Sequence, residues 1–346
     1  MGDKELKTKK TNKLLTAVLA VLLAFSICFL YFSRASVNIE NSAVRKYFKT
    51  GVIDKSGPFL PDVPDEYSVI LFRSGTIEYS TDPDYGNSLS VQGSAGFNLL
   101  GNLIPGKTYY YRAVYDGKPS LTLKFKTRGQ VRMLKVDGIF NVRDIGGWKT
   151  PDGKSIKYGL IFRGSEMDGI HEVNITAKGI EQMKALGIRT EVDLRNSEEV
   201  STAKYPLKSF ADYSRYEIGA YMGVSKNKEL YRDALLAVMN GAMNDKPVYV
   251  HCWGGADRTG TVIALLEGTL GVSKEDVIHD YELTSFSLSG YRIYGSGEEG
   301  TQFKDLVEYI ENDFEGSTFN EKCTNLLLDL GISREQIESF RAKMLE

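Results

Sequence analysis

The sequence predicts an α/β protein that carries a small all-β module and a hydrophobic helix ahead of its larger carboxyl-terminal part. Three observations lead there. Pro247-Val248-Tyr249-Val250 is a short apolar run with β-branched residues, followed by Gly254 and Gly255 and then by helix-like Thr259 to Leu266, a strand–loop–helix pattern. Five short β-rich segments lie between residues 58 and 128, with Gly, Pro, Asp and Asn turns between them and no long 3.6-residue period. Leu14 to Phe32 is a run of nineteen residues without a charge.

The bulk numbers set limits. At 346 residues, 42% hydrophobic and 25% charged, the chain can bury a core and has room for more than one domain. A net charge of -2 gives no general case for nucleic-acid binding, so attraction for anions must be local. Cys28, Cys252 and Cys323 are too few and too scattered for a disulfide framework, and three histidines (His171, His251, His279) form no zinc pattern. These counts favour chemistry without metal or cofactor.

As a helix, residues 14–32 are about 28 Å long, close to the apolar thickness of a bilayer. The preceding basic flank, residues 1–13, holds Lys4, Lys7, Lys9, Lys10 and Lys13. That predicts an inside amino terminus and a body outside the cytoplasm. A retained anchor is favoured over a cleaved signal peptide, since Ser33-Arg34-Ala35-Ser36 is a poor cleavage site. Residues 33–57 read as a linker with a short helix near Asn41 to Lys49. In the β module, 58–128, strands are expected at Tyr67 to Phe72, Thr76 to Ser80, Ser88 to Gln92, Thr108 to Tyr115 and Leu121 to Lys126. Leu103-Ile104-Pro105-Gly106-Lys107-Thr108-Tyr109 resembles the tyrosine-corner region of fibronectin type III domains. Tyr109-Tyr110-Tyr111 reads as alternating strand packing, and the module as a spacer or a docking unit for an unassigned partner. Toward the carboxyl terminus, Phe303 to Phe314 and Phe319 to Leu330 have helical periodicity. Ser333 caps a last helix, and Cys323 falls on an apolar stripe. Residues 285–300, rich in Ser, Gly and Tyr, form either a lid or a loop.

The chemistry concentrates in His251-Cys252-Trp253-Gly254-Gly255-Ala256-Asp257-Arg258-Thr259-Gly260. A helix amino terminus offers unpaired N–H groups and a positive dipole end, and a glycine-bearing loop lets successive N–H groups converge on an anion. Arg258 can clamp phosphate oxygens with two parallel hydrogen bonds. Thiols in such a field ionise readily, and the thiolate is the nucleophile. Cys252 is therefore the expected nucleophile. Thr259 is expected to bond its sulfur, and His251 to orient the loop. A buried cysteine in a glycine turn is the plainer reading, but it explains neither Arg258 nor the glycines.

The segment His-Cys-x-x-Gly-x-Asp-Arg-Thr-Gly resembles the signature of protein tyrosine phosphatases. Asn141-Val142-Arg143-Asp144-Ile145-Gly146-Gly147, Leu160 to Ser165, Gly187 to Arg195 and Asp280-Tyr281-Glu282-Leu283 resemble segments of the bacterial secreted group of that family, in the same order over residues 132–346. The resemblance implies a central sheet flanked by helices and hydrolysis of phosphotyrosine, with phosphoserine, phosphothreonine or phosphoinositides as further substrates of some members. It implies that Trp253, Gly254, Gly255, Ala256, Gly260, Arg143 and Asp144 contact substrate. Arg143 and Asp144 have the alternative of an ion pair fixing the Gly146-Gly147 turn. Protonating the leaving group needs an acid, for which Asp257 and Asp193 both qualify; the alternative for Asp193 is an ion pair with Arg195 or Arg189. Members active on lipids often carry Lys where this chain has Ala256, which weakens the case for polyphosphorylated head groups. The expected function is thus a membrane-anchored protein phosphatase. An inositol-phosphate or phosphoinositide phosphatase and a silent phosphate-binding or adhesion module are the competing functions.

Overall fold

A computed structural model describes residues 16, 36–55, 64–200 and 205–346. Apart from Thr16, the apolar run 14–32 and its basic flank lie outside the described residues. No helix among the described residues is long and apolar enough to cross a membrane. The described chain divides into two compact units, one holding residues 36–38, 67–100 and 106–128, the other residues 39–66, 101–105 and 129–346.

The first unit is all β. Its strands are β1 (Ser36–Asn38), β2 (Tyr67–Leu71), β3 (Gly75–Ser80), β4 (Leu89–Gly93), β5 (Gly96–Leu100), β6 (Thr108–Tyr115), β7 (Lys118–Pro119) and β8 (Leu123–Arg128). One sheet runs β1-β8-β6-β3-β4, with β7 on β6, and β2 pairs with β5 in a second, two-stranded sheet. Alternation decides what lies inside. Tyr109 and Tyr111 are buried while Tyr110 is only partly so. Tyr67 of the small sheet stacks on Phe125 of the large one, with ring centroids 3.6 Å apart. Strand β5 was not expected; in the fold its Phe97 and Leu99 point outward, 77% and 57% exposed.

The second unit is α/β. Residues 39–55 are part of it rather than a free linker. Helix α1 (Ser42–Thr50), capped by Asn41, buries Val44 and Tyr47 in this unit's core. Glu40 accepts from the backbone N–H groups of Gln130 and Val131. The sheet contains β9 (Arg132–Met133), β10 (Arg143–Asp144), β11 (Ile161–Gly164), β12 (Thr190–Asp193), β13 (Asp212–Arg215) and β14 (Val248–His251) in the order β13-β12-β14-β11-β10-β9. Strand β14 is central and parallel to both neighbours. Alternate side chains face different cores: Ile161, Val248 and Val250 join one, Phe162 and Tyr249 the other. Both faces of the sheet are therefore covered, as its near-continuous apolar strands require.

The helices that follow are α2 (Ala177–Ala185), α3 (Gly223–Lys226), α4 (Lys228–Met243), α5 (Asp257–Leu270), α6 (Lys274–Leu283), α7 (Gly297–Asp313), α8 (Phe319–Asp329) and α9 (Arg334–Met344). Capping boxes open α8 (Thr318 with Glu321) and α9 (Ser333 with Gln336). Cys323 is fully buried on α8.

Candidate active site

Strand β14 ends at His251, and helix α5 starts at Asp257, so residues 252–256 form the turn between them. The scaffold holds the carbonyls of this turn. Trp253 O accepts from Glu166 N at 2.8 Å. Gly254 O accepts from Asn141 Nδ2 at 3.0 Å and Ser289 Oγ at 2.6 Å. Gly255 O accepts from Asn141 Nδ2 at 3.1 Å and Arg163 Nη2 at 2.9 Å. With the carbonyls engaged from behind, the N–H groups of Trp253 to Thr259 donate to no acceptor among the described residues. Such a run of free donors at a helix amino terminus is an anion cradle. Gly255 makes the geometry feasible: its φ is +65°, and a Cβ there would stand 2.2 Å from Gly164 O.

A buried charge network fixes the donors behind the turn. Arg143 and Arg163, each 1% exposed, converge on Asp280 of α6. Arg143 Nη1 also donates to Asn141 Oδ1 at 2.6 Å, which aims the Asn141 amide at the turn. Burial and the neighbouring Arg143 push Arg163 down to about 10, against the opposing pull of Asp280. Burial alone would raise the Asp280 carboxyl, but the two guanidiniums outweigh it and hold it below its usual range. On the other side of β14, His251 Nε2 lies 3.1 Å from Glu191. Burial disfavours its charge, yet Asp193 and Glu191 prevail and raise its pKa.

Cys252 is 3% exposed at the floor of the turn. Arg258, in the first turn of α5, is gripped by Glu199 through Nη1 at 2.5 Å and Nη2 at 2.8 Å. Burial opposes the Arg258 charge, but the Glu199 bonds raise its pKa overall. Hydrogen bonding to Arg258 holds Glu199 below the usual carboxylate range. A guanidinium has five N–H donors, so this grip orients Arg258 and leaves donors for a second anion. Thr259 Oγ1 is buried with no partner among the described residues. Trp253 stands at the rim, 51% exposed, beside the His171 ring. Ala256 contributes an amide and no charge. Asp257 accepts from Arg292 Nε at 2.7 Å and Nη2 at 3.0 Å, and from the Tyr221 hydroxyl.

Several sequence expectations need correction. Asp193 is wholly buried. Its oxygens take Arg195 Nε at 3.0 Å, Arg195 Nη2 at 2.8 Å and the Tyr213 hydroxyl at 3.0 Å. Burial would raise its carboxyl, but the His251 charge and Arg195 hold it low, so it is a structural anion out of reach of a substrate. Arg143 supports the turn from behind and does not face substrate. Asp144 is buried on Arg132, at 2.9 Å, and on the N–H of Gly146. The two neighbours fix different parts of the scaffold instead of pairing with each other, because alternate strand residues point to opposite faces. Gly260 spends its N–H inside the helix on Ala256 O, at 2.8 Å. Its lack of a side chain admits Tyr281, whose ring would stand 3.3 Å from a Cβ. Sequence reasoning singled out neither Glu199, Tyr221, Ser289 nor Arg292. They come from loops and a short helical turn without periodicity. Residues 285–296 are packed on the turn through Ser289 and Arg292.

A family model described as the tyrosine phosphatase family matches residues 134–346. A Cupriavidus necator protein classed by name among tyrosine-protein phosphatases is 24% identical over 175 residues, covering 43% of this chain and 61% of that one. A tyrosine-protein phosphatase of Nostoc commune is 26% identical over 129 residues, covering 31% and 44%. A triple specificity protein phosphatase of Mycobacterium tuberculosis is 23% identical over 205 residues, covering 46% and 71%. The chain thus spans less than two thirds of the length of the first two relatives.

Proposed function

The chain belongs to the tyrosine phosphatase family, and from that membership we propose that it hydrolyses phosphotyrosine in proteins through a cysteinyl-phosphate intermediate on Cys252. The observation that carries this reading is the cradle: N–H groups from Trp253 to Thr259 that donate to no acceptor among the described residues, with Cys252 at the floor and Arg258 oriented by Glu199. The amides and Arg258 bind the three non-bridging phosphate oxygens. The Cys252 thiolate attacks phosphorus, an S–P bond forms, and the bond from phosphorus to the phenolic oxygen breaks. Asp257, at the edge of the cradle, gives that oxygen its proton. In the second step Asp257 takes a proton from water as the water attacks phosphorus. The S–P bond breaks, inorganic phosphate leaves, and the Thr259 hydroxyl stabilises the returning thiolate. Asp193 takes no part, because its buried pairing with Arg195 gives it no access to the leaving group.

The same reading extends to the rest of the chain. Residues 14–32 anchor the protein in a membrane, with the catalytic unit outside the cytoplasm; cleavage after this segment would make it a secreted protein instead. The all-β unit acts as a fibronectin type III-like spacer or docking module. The basic flank ahead of residue 14 supports the orientation.

The deciding measurement is turnover of 4-nitrophenyl phosphate and a phosphotyrosine peptide by the full chain and by Cys252→Ser. The variant is expected to lose all turnover while still binding inorganic phosphate or vanadate. Activity near wild type in Cys252→Ser would sink the mechanism.

A further inference from the structure

Resting on the reading above, we propose that Arg292 is a second anion-binding group of the site, specific for a carboxylate near the phosphotyrosine of an acidic peptide, and that this carboxylate draws Arg292 off Asp257 and frees Asp257 to carry the proton. The starting point is a conflict in the geometry. Both oxygens of Asp257 are engaged: Oδ1 accepts from Arg292 Nε at 2.7 Å and from the Tyr221 hydroxyl, and Oδ2 accepts from Arg292 Nη2 at 3.0 Å. A carboxylate in a two-pronged guanidinium pair is an acceptor. It cannot give a proton to a leaving group until one oxygen is released.

The surroundings say which partner is exchanged. Tyr221 is held by Tyr281, hydroxyl to hydroxyl at 2.9 Å, and its ring is buried, so it stays. Arg292 instead belongs to the 285–296 segment, which starts buried at Ser285 to Ser287 and emerges at Leu288 and Tyr291. It is tied there through Nη1 to Ser289 O and Tyr291 O at 3.3 and 3.2 Å. Its second carboxylate neighbour, Glu299, is 3.9 Å away, too far for a hydrogen bond but close enough to keep the charge in place. The side chains of the pair are 13% and 31% exposed, so an incoming anion can reach them.

The rim favours a peptide. Trp253, Leu288 and Tyr291 are 51%, 62% and 39% exposed, an apolar border suited to an aromatic ring. Lys55 Nζ lies 5.5 Å from the Tyr291 ring and adds a second cation on that side. With Ala256 in the turn, these cations lie at the rim and not beneath the phosphate. That placement suits an anion carried beside the phosphorylated group.

The test is steady-state kinetics of the full chain in detergent on four substrates. They are 4-nitrophenyl phosphate, a phosphotyrosine peptide with flanking Asp and Glu, the same peptide with Asn and Gln, and a short-chain phosphoinositide. Wild type should prefer the acidic over the neutral peptide by roughly tenfold in kcat/KM, about one charge-assisted contact. In Arg292→Gln and Arg292→Ala the ratio should fall to about one, while Arg292→Lys keeps part of it. An equal loss on both peptides would make Arg292 merely structural and overturn the proposal. So would a wild-type ratio of one, or a phosphoinositide preferred over the acidic peptide. Turnover of 4-nitrophenyl phosphate separates these outcomes from failure of the phosphatase reading, since its absence in wild type would overturn both.

Discussion

At the residue scale, the charged groups around the turn divide into those open to solvent and those buried in the scaffold. Exposure separates them better than residue type. Asp257 and Asp193 are both carboxylates within the motif-bearing segments, but one lies at the cradle's edge and the other is fully buried against Arg195. This difference is testable. Replacing Asp193 with Asn should lower the unfolding free energy by about 3 kcal/mol, the scale of a broken buried ion pair, as read by urea denaturation. Its turnover should keep the wild-type ratio of phenyl phosphate to 4-nitrophenyl phosphate. Asp257→Asn should do the reverse, leaving stability near wild type and losing more rate on phenyl phosphate, whose poorer leaving group needs the proton. If Asp193→Asn shows the leaving-group signature, the acid has been misassigned.

At the scale of single elements, helix α5 carries an unusual internal group. Glu267 is fully buried, and neither carboxyl oxygen has a hydrogen-bond partner among the described residues. Burial is the main cause that pushes its pKa well above 4.5; nearby Asp280 adds to the shift, while Arg163 and Arg143 oppose it. The folded helix therefore holds a proton that the unfolded chain releases. Stability from this group is fully present below the unfolded value of 4.5 and is lost as pH rises through the folded one. Glu267→Gln removes the titration. It should raise the thermal midpoint at pH 8 and change it little at pH 4. A variant whose difference from wild type does not grow with pH would show that Glu267 is charged in the fold.

At the scale of the whole chain, the second unit recruits residues that lie in sequence between the first two strands of the all-β unit. Tyr47 of α1 is 1% exposed, donates to Glu282 at 2.5 Å, and packs edge-on against His279. Glu282 in turn accepts the backbone N–H of Tyr294, in the segment that carries Arg292. Residues 39–55 are thus part of the second unit's core and brace the segment that carries Arg292. Tyr47→Ala should cost about 3–5 kcal/mol, the range for a large aromatic side chain deleted from a core, seen as a lower denaturation midpoint of the catalytic unit. An unchanged midpoint would return residues 39–55 to the status of a linker.

The sequence by itself located the candidate nucleophile Cys252 and the candidate clamp Arg258, the strand–loop–helix turn that carries them, and the carboxyl-terminal helices. Those are local properties, written in spacing, β-branching, glycine and cap residues, so they survive without knowledge of distant contacts. Strand β5 was missed even at this level, and the outward exposure of its Phe97 and Leu99 is visible only in the fold. Only the tertiary structure decided which charges stand open at the turn and which are buried behind it. Arg143 looks like a substrate contact in its motif and becomes a strut only when Asp280, far along the chain, folds against it. Glu199 and Arg292 carry no signal in sequence. Their meaning arises from pairing with Arg258 and Asp257, and charge pairing across a fold has no periodicity to read.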